Sequence, residues 1–407
     1  MHARRRPVVS LAVIALLSLS PAGCATLGST IGPSASPAAP QSTAPATQGP
    51  TPGPSLGAGT WQAVEVPPAL RAATIEDVVA VDTGFIAVGC IGTIATCDAP
   101  AIWTSGDGLA WSSPIELPVR PGEIPRPANS AAVLAGTVVV GGAVGTGDRI
   151  NAALWVAADG GAFERIPDLA SSADASVRIL RRVDSGLVAL GSQAYMEYSG
   201  FRAWYSSDGR SWAPAAPESS DEAMPRGLVL ADDGIVAWGP TCGVCPPETA
   251  FWRSAVGETW TEPHREIDGA FAYVTTIGVA ETGLLAFGTI GIDPPAPAAW
   301  FSATGSAAWE PMEPPPQPDR TSIRSHLAVG GGAVLAGTTL VGDRPTGLVW
   351  FSRPGEVDWR LTATLADFTV IGLRQDPVRP ERILLVGQSG VEQPTLAIWS
   401  GSVDWIP

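Results

Sequence analysis

Arg178, Arg226 and Arg324 each stand eight residues before a glycine that ends a turn-forming cluster: Asp184-Ser185-Gly186, Asp232-Asp233-Gly234 and Gly330-Gly331-Gly332. An equal offset from equivalent turns predicts three guanidinium groups at one structural level. A guanidinium is planar, permanently charged and rich in donors, so a convergent set would grip a carboxylate or sulfate with paired hydrogen bonds. Glu76 holds the same offset from Gly84 and is placed to pair with one of the three. These four residues form the candidate ligand-binding set.

The rest of the ionisable complement excludes several chemistries. The 407-residue chain carries 24 basic and 39 acidic side chains, a formal charge of −15, and every basic residue is arginine. Schiff-base chemistry through lysine is therefore excluded, and a nucleic-acid partner lacks the basic stripe that would displace phosphate counterions. Of three histidines, only His264 and His326 lie beyond the extreme N-terminus. No metal site or cofactor is expected from so few ligands, and no catalytic residue is assigned.

The cysteines form two local pairs, Cys90 with Cys97 and Cys242 with Cys245, apart from Cys24. Each pair follows an apolar run ending in glycine, in a loop, where a disulfide would staple the loop in an oxidising compartment. Cys242-Gly243-Val244-Cys245 has a spacing that also suits redox or zinc chemistry. Redox use needs a helix N-terminus to lower the thiol pKa, and zinc needs two more ligands; neither is evident.

What must position these residues is a repeat. Trp103, Trp155, Trp204, Trp252, Trp300, Trp350 and Trp399 are separated by 52, 49, 48, 48, 50 and 49 residues. A short apolar run ending in glycine precedes each of them: Phe85 to Gly89, Val138 to Gly141, Leu187 to Gly191, Ile235 to Gly239, Leu284 to Gly288, Val334 to Gly337 and Ile383 to Gly387. A second aromatic follows each: Trp111, Phe163, Trp212, Trp260, Trp309, Trp359 and Trp405. A period near 50 residues marks a propeller or solenoid.

Within the first unit, Ile75 to Val81, Phe85 to Gly89, Ala101 to Ser105 and Ala110 to Ile115 read as strands between turn signals. The predicted fold is all-β: a seven-bladed β-propeller of four-stranded antiparallel blades. Ring closure removes the exposed sheet edges of a linear stack. Residues Trp61 to Val66 look like a fourth strand with no strands before them, so they are expected to close the last blade from outside.

Ser105-Gly106-Asp107-Gly108-Leu109-Ala110-Trp111 and Ser206-Ser207-Asp208-Gly209-Arg210-Ser211-Trp212 resemble the Asp-box (BNR-like) repeat of sialidase-like propellers, one residue shorter between Asp and Trp. Degenerate copies keep Asp159, Gly160 and Phe163; Ser254, Gly257 and Trp260; Ser302, Gly305 and Trp309; and Ser352, Gly355 and Trp359. In such a box the Asp or Ser oxygen satisfies hairpin N–H groups, Gly supplies positive φ and Trp packs between blades. The resemblance also implies that a sialidase would use a tyrosine nucleophile with a glutamate, an aspartate, and an arginine triad for its substrate carboxylate. Tyr273, Tyr195, Glu197 and Tyr198 are nearby types, but none matches the family motif. Arg165-Ile166-Pro167 imitates a sialidase signature yet falls on an outer strand.

Residues 1–23 read as a signal peptide: Arg4-Arg5-Arg6 precede an apolar stretch too short to span a membrane. Pro21-Ala22-Gly23-Cys24 resembles a bacterial lipobox, with Pro21 where an aliphatic residue is usual; a plain signal with an incidental Cys24 is the alternative. Residues 24–58 contain only small, polar or apolar residues without charge, and read as a disordered Ser/Thr/Pro/Ala tether. Residues 59–407 form the propeller.

The expected protein is exported, anchored through lipidated Cys24 to the outer face of a bacterial membrane or else secreted, and monomeric. Its expected role is non-catalytic binding of a protein, glycan or cell-wall ligand at its loop face. The alternative is a sialidase-like glycoside hydrolase or lyase acting on an acidic glycan. Two carboxyl groups about 5 to 10 Å apart beside the arginines would favour hydrolysis. Glu76, Asp98, Glu197, Glu248 and Asp293 are the acidic residues expected near that face.

Overall fold

The computed structural model describes residues 61–403, apart from 94–95, 159, 170–172, 196–197, 216–222, 242–247, 262, 269–270, 293–294, 304–307, 319, 355, 357 and 392–393, and apart from the side chains of 193–199. The expectations for Cys24, Cys242, Cys245, Glu197 and Asp293 lie outside the described residues, as do the side chains of Tyr195 and Tyr198.

The seven tryptophan-bearing units are seven antiparallel sheets. The first blade comprises Thr74–Val81, Gly84–Gly92, Cys97–Ser105 and Ile115–Glu116, paired in that order. Its short outer strand begins where the sequence predicted one to end, because the residues before it belong to the hairpin turn. In blade four the outer strand is reduced to a bridge between Phe251 and His264. The one helix among the described residues is the single turn Pro68–Arg71.

Ring closure follows the sequence expectation. Gln62–Val64 pairs antiparallel with Thr395–Ser402 as the outer strand of the last blade. Gly401 makes this possible: a Cβ there would lie 2.8 Å from the ring of Trp61. The seam is reinforced where the Arg382 guanidinium, held by Asp376 at 2.7 Å, reaches the Asp107 carbonyl in blade one.

The ladder tryptophans are the mortar of the ring. Trp155 packs with Ile86 and Val88 of the blade before it, Trp204 with Val139 and Leu154, Trp252 with Val188 and Leu190, and Trp350 with Phe287. Trp103 packs on Leu384 and Val386 of blade seven, which carries the same contact across the seam. A blade is two-sided, so each buries its faces only against its neighbours; burial of one indole contributes on the order of 4–6 kcal/mol.

The hairpins after the third strands hold their turns by side-chain oxygen. Ser105 Oγ accepts from the Gly108 amide at 2.7 Å, and Asp107 Oδ1 accepts from Leu109 and Ala110 at 2.8 and 3.0 Å. Ser206 and Asp208 repeat these bonds onto Gly209, Arg210 and Ser211 at 2.8, 2.7 and 2.7 Å. Gly108 and Gly209 adopt φ of 70° and 75°, a region that favours glycine.

Cys90 and Cys97 are disulfide-bonded. They sit in the facing ends of the second and third strands of blade one, rather than in the loop between them.

Candidate functional site

The first strands of all seven blades line the central channel, and they share one irregularity. In blade three Val177 pairs with Gly191 and Ile179 with Leu190, so Arg178 is an extra residue without a partner. The same shift leaves Glu76, Asn129, Thr275, Arg324 and Ile371 unpaired in blades one, two, five, six and seven. In blade four the Met224 amide bonds to Pro240 O while the Arg226 amide bonds to Trp238 O, which puts Arg226 at the same step. A β-bulge re-aims its extra side chain. Here six bulges, and Arg226 at the matching step just before the strand of blade four, turn seven side chains toward one cavity of about 430 Å³.

The glycine ending each apolar run is the cause. A Cβ on Gly89, Gly239 or Gly288 would lie 1.9, 1.7 or 1.9 Å from a first-strand carbonyl oxygen. Only a bare glycine lets the bulged backbone approach so closely. In blade two the residue opposite the bulge is Gly142, paired with Ala128, one place beyond the glycine at which the apolar run ends.

Three of these seven residues are the predicted arginines, and the structure brings them together. Arg178, Arg226 and Arg324 line both the channel cavity and a second cavity of about 450 Å³ bounded by Met224, Pro225 and Pro240. They therefore form the boundary between channel and mouth, on the side bearing the ends of the second strands. Arg178 Nε donates to Ser192 Oγ at 3.2 Å. Arg226 donates to the Tyr273 hydroxyl and stands 5.5 Å from the Tyr273 ring centre. Arg324 makes no hydrogen bond or ion pair among the described residues. Burial, then repulsion from Arg226, lowers the pKa of Arg324.

Glu76 shares the ring, as predicted from its offset. Burial raises its pKa; Arg178 pulls it back, and Asp77 pushes it further up. The remaining polar members tie blades to one another instead. Asn129 Nδ2 donates to Val177 O at 2.7 Å, and Thr275 Oγ1 to Ile323 O at 2.6 Å.

The other acidic candidates do not join the site. Asp98 and Glu248 line neither arginine cavity, and Glu248 is paired with Arg265. Asp77, which sequence reasoning missed, lies next to Glu76 but is paired with Arg374. Arg181 and Arg374 were missed too, although each stands three residues after the bulge of its blade, a regularity that counting could have found. His326 also lines the channel, against Phe287 and the bare backbone of Gly278, and burial lowers its pKa to about 4. Among the described residues no cluster of three or more His, Cys, Asp or Glu side chains gathers to hold a metal.

No family model and no curated protein matches this sequence. Solved structures do match. YCF48 bound to D1 peptide superimposes with a TM-score of 0.57 at 16% identity, covering 86% of this chain and 97% of that one. The polysaccharide lyase Uly1 gives 0.53 at 10% identity, covering 81% and 90%. A Trypanosoma rangeli sialidase in complex with sialic acid gives 0.45 at 12% identity, covering 83% and 55%. At these identities the likeness is one of fold, shared by a protein bound to a peptide and by a polysaccharide lyase.

Proposed function

We propose that this protein is an exported, lipid-anchored and non-catalytic β-propeller that binds an acidic protein, glycan or cell-wall ligand at its arginine mouth. Cys24 is the lipidated residue in this reading, residues 24–58 are the tether, the Ser–Asp hairpins are degenerate Asp boxes, and Cys242 and Cys245 form a second disulfide.

The observation that carries the binding reading is the imbalance at the mouth. Arg178, Arg226 and Arg324 line one pair of cavities, where among the described residues the one carboxylate at their level is Glu76. A carboxylate or sulfate arriving there would meet three guanidinium groups brought to one level by the frame, two of them already tethered by a hydrogen bond. Among the described residues the other carboxylate lining these cavities, Asp77, is committed to Arg374.

The test is binding of the exported chain to an array of acidic glycans, cell-wall fragments and peptides, with Arg178→Ala and Arg324→Ala alongside. Loss of one specific signal in both variants is the expected result; unchanged binding would move the site to the loop rims.

The Tyr273 hydroxyl against Arg226 supports a second reading, a hydrolase or lyase acting on an acidic glycan, because it sets an ionisable hydroxyl beside the anion donors. Turnover of an acidic glycoside that disappears in Arg226→Ala and Tyr273→Phe would replace the binding reading with this one.

A further inference from the structure

Below the bulge level the channel cavity borders another. Arg181, Leu373 and Arg374 line the 430 Å³ cavity and also a separate cavity of about 480 Å³ that Gln375 and Pro377 bound at the other end. They are the partition between the two. Its charges are two guanidinium groups, Arg181 and Arg374, and one carboxylate, Asp77.

The carboxylate is already in use. Arg374 donates to Asp77 Oδ1, to Val78 O and, at 2.7 Å, to Leu373 O, which engages all three of its nitrogens. Gly372 makes this inward fold possible, since a Cβ there would lie 2.6 Å from Arg374 Nη1. Asp77 Oδ1 also accepts from the Val78 amide at 2.8 Å. Arg181, by contrast, donates among the described residues only to its neighbour Leu180 O, at 3.1 Å, and has no carboxylate within ion-pair distance. Arg181 is half-buried, and desolvation lowers its pKa, an effect that Asp77 opposes and Arg374 reinforces. A partly desolvated positive charge without a carboxylate partner is costly, and guanidinium donors here face a cavity instead of protein acceptors.

We propose that the Arg181–Asp77–Arg374 partition is a second anion site, deep in the channel and separate from the arginine mouth, that takes a small inorganic monoanion such as chloride. The charge count selects the valence: two guanidinium groups and one carboxylate leave one positive charge, which a monoanion cancels. The site stands whether or not the mouth binds an acidic macromolecule, because it uses different residues.

The experiment is thermal unfolding of the exported chain as gluconate is replaced by chloride at constant ionic strength, from about 5 to 500 mM. Gluconate is a far larger anion than chloride, and its carboxylate has the chemistry proposed for the mouth. Chloride is expected to raise the midpoint by on the order of 1–3 °C. Arg181→Met should start at or above the wild-type midpoint at low chloride, having lost an unpaired, half-buried charge, and stay flat. Arg374→Met should be flat as well, since Asp77 and Arg181 then neutralise each other. Arg324→Ala should respond as the wild type does. The proposal is overturned if Arg181→Met keeps the chloride response. It also fails if that variant melts below the wild type at every concentration, which would make Arg181 a structural partner. Loss of the response in Arg324→Ala would place the chloride at the mouth and leave the partition empty of any role.

Discussion

The rim of the propeller and its channel treat charge in opposite ways. At the rim the charged groups that hold turns and join blades meet an answer close by. Asp208 accepts two amides and two hydroxyls within its own turn. Glu266 takes Arg253 at 2.7 Å, His264 at 2.8 Å and the Trp309 indole at 2.9 Å, clasping blade four to blade five. In the channel Arg178, Arg226 and Arg324 share a level with one carboxylate, and Arg181 has none in reach. Charges that hold a fold together are paired by the fold itself; charges left open by a rigid frame are available to something that arrives later.

Substitutions across this divide should separate stability from binding. The largest loss of stability is expected from Trp155→Ala, which empties an inter-blade site and should cost about 3–5 kcal/mol by urea unfolding, with the mouth still able to bind in the folded fraction. Next is Gly239→Ala. Its Cβ would lie 1.7 Å from Met224 O, so the bulge must shift, at about 1–3 kcal/mol, and Arg226 with it. That variant is the one expected to lose stability and ligand binding together. If its binding is intact, the bulge does not aim the arginine.

Asp208→Asn should cost about 1 kcal/mol near neutral pH, through weaker acceptance from its turn. Its pH profile is more telling. The Ser211 and Arg210 amides hold the Asp208 carboxyl down at about 2. A lowered folded-state pKa gives stability that is complete above the unfolded value near 4 and is lost as pH falls through the folded one. The gap between wild type and Asp208→Asn should therefore close between about pH 4 and 2, and a gap that persists at pH 2 would mean the carboxylate is not what holds the turn. Arg324→Ala sits at the far end: within about 0.5 kcal/mol of wild type, neutral or slightly stabilising because Arg226 loses a repelling neighbour, yet without ligand binding. A large destabilisation would show that the channel charges belong with those of the rim.

The tryptophan ladder carried the blade count and the closing strand because both depend on packing period, which a sequence displays directly. The arginine level was readable for the same reason: Gly186, Gly234 and Gly332 are turn residues that pin a strand end, and counting back from them needs no tertiary information. The bulge was not readable as a bulge. It is a slip in register, and Gly89 or Gly239 announces only that a side chain is forbidden, not what approaches instead. The partition escaped notice because Asp77, Arg181 and Arg374 come from three blades distant in sequence, and only closure of the ring sets them side by side. His326 in an inter-blade position depends likewise on Gly278 in the neighbouring blade, a pairing that no local pattern records.

The strand Gln62–Val64 has a bearing on the order in which the molecule assembles. Its partner residues, Ile398 to Ser400, lie at the opposite end of the propeller sequence, so this pairing closes the longest loop in the fold. Each blade can form from neighbouring hairpins as its residues become available, but the entropic toll of a long-range contact is met only when the chain around it is already ordered. On that ground the first strand of the propeller is expected to dock last. Until it does, the outer edge of Thr395–Ser402 is open to any extended chain that can reach it, and a copy of the same N-terminal strand from another molecule would fit it equally well.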